Sequence, residues 1–164
     1  MSRTLAAPGQ QLRDAWQRLS PLPGGRWLFS RLLGRLVPYT GALGARVEEL
    51  SPGYARVTLR DRRGIRNHLG SVHAIALANL AEVTSGLAML TSLPPGARGI
   101  VVHLGIAYLK KARGTLTAEC RCQAPSGIEE TVTVSADVRN AGNEVVARAE
   151  VQWLIRPAEA TPVA

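Results

Sequence analysis

The chain has 164 residues, enough for one domain with a sizeable core, and 46% of them are apolar, the balance of an ordinary globular protein and not of a disordered or fibrous one. Its formal charge of +8 lies entirely before residue 67: residues 1–66 hold twelve Arg against four acids, residues 67–164 eight Lys or Arg against eight acids. Such a field attracts anions, but aromatic residues make up only 4% and are not interleaved with basic clusters, which argues against a nucleic-acid binder.

Two short amphipathic helices are expected at 8–20 and 26–37, split by SPLPGG. Trp16 and Leu19 lie on one face of the first. Trp27, Leu28, Leu32 and Leu36 share a face of the second, with Arg31 and Arg35 beside them, and Pro38 ends it. A basic pair of this kind can lie on a membrane; here it is expected to cap its own domain instead. Residues 43–50 and 54–60 alternate in polarity around SPG and predict a hairpin. DRRGIRNHLG, residues 61–70, predicts a loop.

From Ser71 to Leu90, apolar residues recur at Val72, Ile75, Ala76, Leu80, Val83, Leu87 and Leu90, which is helical spacing. The remaining faces are Ala, Gly and Leu, so this helix is expected to be buried on several sides. PPGARG resets the chain, and four alternating strands follow at 99–110, 114–124, 129–139 and 143–155. Their short, turn-rich connections favour antiparallel neighbours. The tail beyond Pro157 is expected to be disordered. Cys120 and Cys122 fall two apart in a strand, a poor geometry for a disulfide, and read as buried or half-buried free thiols. The N-terminus lacks a compact apolar block with a small-residue cleavage site, so the cytoplasm is the expected compartment.

The chemistry-bearing stretch is NHLGSVHAIALANLAEVTSG, residues 67–86. It sets Asn67, Gly70 and His73 before a helix whose interior holds a lone acid, Glu82. An acid inside an apolar helix is costly unless it has a partner or a task. His68 and His103 read as surface or strand residues, and no cluster has metal-ligand spacing.

This order of elements, with N-x-x-G-x-x-H at Asn67, Gly70 and His73 and an acid nine residues later at Glu82, resembles the hotdog-fold thioesterases. Within them it is most similar to the phenylacetate-type acyl-CoA thioesterase branch and its uncharacterised DUF4442-like relatives. GIAYLKKARGTLTAEC, residues 105–120, is a second match. The resemblance covers about residues 42–156. It implies an α+β hotdog fold, an antiparallel sheet of about six strands wrapped around one long central helix. An N-terminal helical extension (1–41) would precede the hotdog domain (42–156) and its tail (157–164).

The implied activity is hydrolysis of acyl-CoA thioesters to free acid and CoA. Glu82 would be the general base or nucleophile, and the Ala74 amide at the helix start the oxyanion donor. Asn67 would orient the water, and His73 would position the thioester or support the helix end. Gly70, Leu80, Val83 and Ser85 would contact substrate, while Arg66, Lys110, Lys111 and Arg113 would meet the phosphates of CoA. The resemblance also implies a homodimer or homotetramer, with Glu82 of one copy facing Asn67 of another, and neither metal nor cofactor beyond the CoA of the substrate, which could equally be an acyl-carrier-protein thioester. The chain departs from the branch at Ala74, where Gly is usual, at Ile75, and at Val101, where many members carry a hydroxyl. Those departures keep a second expectation open: a non-catalytic acyl-CoA binding protein of the same fold.

Overall fold

Proline and glycine set the first boundaries. The computed structural model describes residues 8–127 and 129–158, so the expected tail falls outside them from residue 159 onward. Pro8 opens α1 (Pro8–Leu19), and Gly25 opens α2 (Gly25–Leu36). Pro38 does more than end α2: it starts a third helix, α3 (Pro38–Leu43), which the residue pattern had not suggested. Proline suits that first helical position because its missing N–H is an orphan there anyway. Trp16 of α1 meets Phe29 of α2 edge-on, ring centroids 5.1 Å apart, and both are buried.

The buried face of α2 differs from the expected one. Phe29 is buried and Leu33 packs partly on the core, whereas Trp27, Leu28, Leu32 and Leu36 are exposed. The four Leu and Trp side chains define a wide apolar arc, but the ring just past the end of that arc, Phe29, is the one that meets Trp16.

A hairpin follows, β1 (Arg46–Ser51) and β2 (Tyr54–Leu59), as expected. The loop behind it contains a 3₁₀ turn at Arg63–Ile65 and leads into α4 (Ala74–Ser92). Then come β3 (Ala97–Tyr108), β4 (Leu116–Arg121), β5 (Thr131–Arg139) and β6 (Val145–Pro157). The six strands form one antiparallel sheet in the order β1-β2-β4-β5-β6-β3.

One register row explains how α4 seats on this sheet. Ala55, Cys120, Ala136 and Ala149 pair in sequence across β2, β4, β5 and β6, and all are buried. Small side chains at the centre of the sheet let a helix approach closely, and α4 answers with Ala81 and Ala88, both fully buried. Although α4 is 19 residues long and apolar enough to cross a membrane, 72% of its 18-residue apolar window is buried within the fold, which makes it the core helix.

The connection between β3 and β4 departs from the expected pattern. It is short, yet the strands are not neighbours: β3 pairs with β6 at the sheet edge. Residues 109–115 instead cross over the start of α4, where the buried Ala112 accepts a 2.8 Å hydrogen bond from the Val72 N–H. The sheet curls around the helix, so a few residues bridge two strands that lie far apart along it. The two cysteines are free, and burial pushes the Cys120 thiol up to about 12.

Candidate active site

The loop before α4 is built around one carboxamide. Asn67 Oδ1 accepts the Leu69 and Ser71 N–H groups at 3.0 and 3.1 Å, and the Asn67 backbone bonds to Ser71 and Gly70. Gly70 sits at φ 69°, a left-handed conformation that a side chain would strain. Both lone pairs of Oδ1 are therefore engaged, and only Nδ2–H remains for an outside group. Asn67 can hold a water by donating to it, not by accepting from it.

His73 is the N-cap of α4. Its Nδ1 accepts the Ile75 N–H at 3.1 Å, which assigns the ring proton to Nε2, and its own N–H donates to the Ile65 carbonyl. The ring is exposed. At the next position, the Ala74 N–H donates to no group among the described residues, so it is one of the orphan donors of a helix start, at the positive end of the helix dipole. The Ala74 carbonyl accepts the Tyr108 hydroxyl at 3.1 Å. Tyr108 falls within GIAYLKKARGTLTAEC, residues 105–120, where the residue pattern assigned it no role of its own.

Asp61 is a further residue the motif did not mark. It accepts both nitrogens of the Arg66 fork, at 2.7 and 3.1 Å, and the Gly114 N–H at 3.0 Å. That pairing holds its carboxyl below the usual range. The basic candidates are thus largely engaged: Arg66 by Asp61, Arg113 by the Leu69 carbonyl at 3.3 Å, and Lys110 by Glu144 at 2.5 Å. Lys111 is exposed and makes no ion pair among the described residues.

Glu82 lies eight residues beyond Ala74, about 12 Å along the helix axis. Its carboxylate makes no hydrogen bond or ion pair among the described residues, and burial alone raises its pKa above the ordinary glutamate value. It lines an apolar cavity of about 700 Å³ together with Val83, Gly86 and Leu87 of α4, Phe29 of α2 and Trp153 of β6. Gly86 makes room for that indole: a Cβ there would lie 3.0 Å from the Trp153 ring. Val83 also lines a second cavity, of about 380 Å³, against α2 and α3.

Leu80 and Ser85, expected to contact substrate, lie inside the fold. Both are fully buried and line neither cavity, Leu80 in the core and Ser85 with its hydroxyl on the Glu82 carbonyl at 2.8 Å. Helical phase explains Leu80, which lies about 160° around α4 from Glu82, whereas Ser85 is held inward by its bond to the helix backbone. Asn79 Nδ2 donates to Thr40 Oγ1 at 3.1 Å and so ties α3 to α4. One protomer therefore gathers Asn67, Gly70, His73, Ala74 and Tyr108 at the helix start and leaves Glu82 two turns away beside the apolar cavity.

The family described as a domain of unknown function, DUF4442, matches residues 25–155. Among curated proteins, the "Putative esterase" of Halobacterium salinarum is 33% identical over 108 residues, 60% of this chain and 72% of that protein. A Pseudomonas aeruginosa protein of unknown function, described as a "Probable Thioesterase", is 27% identical, with a TM-score of 0.71 over 83% of this chain and 97% of its own. A hypothetical thioesterase of Streptococcus pneumoniae, solved with coenzyme A, shares the fold at 22% identity and a TM-score of 0.61, over 71% of this chain and 91% of that one. The chain belongs to the DUF4442 family and, with its six-stranded antiparallel sheet around a central helix, to the hotdog-fold thioesterase superfamily.

Proposed function

We propose that the protein hydrolyses acyl-CoA thioesters, with Glu82 as the general base. One observation carries the reading: a half-buried carboxylate, without a partner among the described residues, at the wall of a large apolar cavity. Desolvation costs stability and serves no packing purpose there, and it tunes the carboxyl toward neutral pH, where a base is most effective. The coenzyme A held by the streptococcal protein of the same fold supports the leaving group.

The chemistry runs as an addition and an elimination. Glu82 takes a proton from water as the oxygen attacks the thioester carbonyl. The oxyanion is held by the Ala74 N–H, aimed by the helix start that His73 caps. Collapse breaks the C–S bond, and the CoA thiolate takes the proton back from Glu82. Because Ala74 and Glu82 of one chain are about 12 Å apart along α4, the two groups that flank one thioester come from two copies of the chain. Asn67 donates to the water, and Gly70 keeps the loop in its turn. Val83 and Leu87 contact the acyl group, while Lys111 and, once released from their partners, Arg66, Lys110 and Arg113 meet the phosphates.

The test is a panel of acyl-CoAs of graded length with a free-thiol readout, wild type beside Glu82→Ala. Wild type releases thiol from apolar acyl chains, and the variant loses about 10²–10⁴-fold in kcat/KM. Undiminished hydrolysis by Glu82→Ala removes Glu82 from the mechanism. The half-buried Val101, which brings no hydroxyl to β3, favours the second reading; acyl-CoA binding without thiol release across the panel selects it.

A further inference from the structure

Nothing in the described fold covers the outer half of α2. At about 100° per residue, Trp27, Arg31, Arg35, Leu28, Leu32 and Leu36 spread over about half of the helix circumference, an arc that ends beside Phe29 and Leu33. The apolar members face water: Trp27 is 54% exposed and Leu36 79%, and Tyr39 of α3 and Leu22 before α2 are exposed as well. Contiguous exposed apolar surface of this kind marks an interaction site.

The charge around it has one sign. From Ala15 to Val47 the chain contains no Asp or Glu, and Arg18, Arg26, Arg31, Arg35 and Arg46 are all exposed. The Arg31 guanidinium lies over the Trp27 ring, 5.2 Å from its centroid, so cation and indole share one depth. The position is also informative, since the exposed Leu32, Leu36 and Val37 are among the residues that line the cavity beside Glu82.

We propose that the outer face of α2 and α3 docks on an anionic lipid bilayer. A helix with Trp and Leu among arginines suits the bilayer interface, apolar groups entering the acyl boundary while guanidinium groups meet phosphates. A second copy of the chain fits poorly, because a symmetric self-contact sets the same arginine row against itself. The sequence pattern had favoured a cap over a membrane contact; the fold divides the helix, using Phe29 and Leu33 for the cap and leaving the rest outside. Docking stands independently of the hydrolase reading.

The full chain is tested by co-sedimentation with phosphatidylcholine vesicles with and without phosphatidylglycerol. Binding is expected only with the anionic lipid and weakens as salt is raised. Trp27 supplies a blue shift of the tryptophan emission, because Trp16 and Trp153 are already buried. Trp27→Phe keeps binding and loses the shift. Arg31→Glu/Arg35→Glu, checked for an unchanged melting temperature, binds at least about tenfold more weakly. Absent binding, equal binding to neutral vesicles, or undiminished binding by the charge-reversed variant overturns the proposal. A change in oligomeric state on Leu28→Ser in lipid-free solution assigns the patch to self-association and overturns it as well.

Discussion

Under the proposed mechanism, Glu82 couples activity and stability to pH through one carboxyl. Burial raises its pKa in the folded chain above the unfolded value. The folded state then holds the proton more tightly, so its stability falls as pH rises from the ordinary glutamate range through the raised folded value. Glu82→Gln removes that loss. In urea titrations its midpoint is expected to exceed that of wild type at pH 7, with the difference shrinking as the solution is made acidic. A base must be ionised, so kcat/KM of wild type rises with pH and its midpoint lies above the usual carboxylate range. Asp61 and Asp137 run the other way: arginine partners depress both, and the stability they supply is lost as pH falls through their folded values.

In the proposed mechanism, His73 acts on the Ala74 amide through the cap. Its ring nitrogen replaces the hydroxyl or carboxylate that usually fills this position. Removing the ring by His73→Ala is expected to cost about 1 kcal/mol, read by chemical denaturation, and to lower kcat more than it raises KM. His73→Asn also caps and restores both stability and rate. Recovery of stability alone means that the imidazole itself touches the thioester.

The helices show where periodicity is a sufficient guide. In α4 nearly every face is apolar, and nearly every face is buried; its position inside the sheet follows from composition. In α2 the pattern is ambiguous, because both halves of the helix carry large apolar residues, and packing chooses between them. Phe29→Ala is expected to destabilise by about 3–5 kcal/mol, whereas Leu28→Ala stays within about 0.5 kcal/mol. Equal effects in denaturant titrations mean that α2 lies on the domain in another orientation. α3 escaped notice because a Pro that stops one helix can also begin the next.

The proposed site closes only between molecules. Both copies contribute Glu82 and a helix start, and β3 offers a sheet edge with Ile100 and Val102 exposed. Glu82→Ala and Asn67→Ala are each expected to be inactive, yet a mixture refolded together regains about a quarter of wild-type activity, because half of the dimers are mixed and each has one intact site. No recovery in the mixture, with exchange of subunits shown by mass, places the whole site within one chain.

Residue spacing by itself determined the elements other than α3, the buried central helix, the free thiols and the cluster at Asn67, Gly70 and His73, because each rests on local chemistry: period, turn residues and caps. Tertiary structure decided the rest. It joined Asp61 to Gly114 and Tyr108 to Ala74 across more than thirty residues of chain, put β3 beside β6, withdrew Leu80 and Ser85 into the core and left Glu82 facing a cavity. Those outcomes depend on which surfaces meet when a curled sheet closes around a helix, and no window of sequence contains both partners of such a contact.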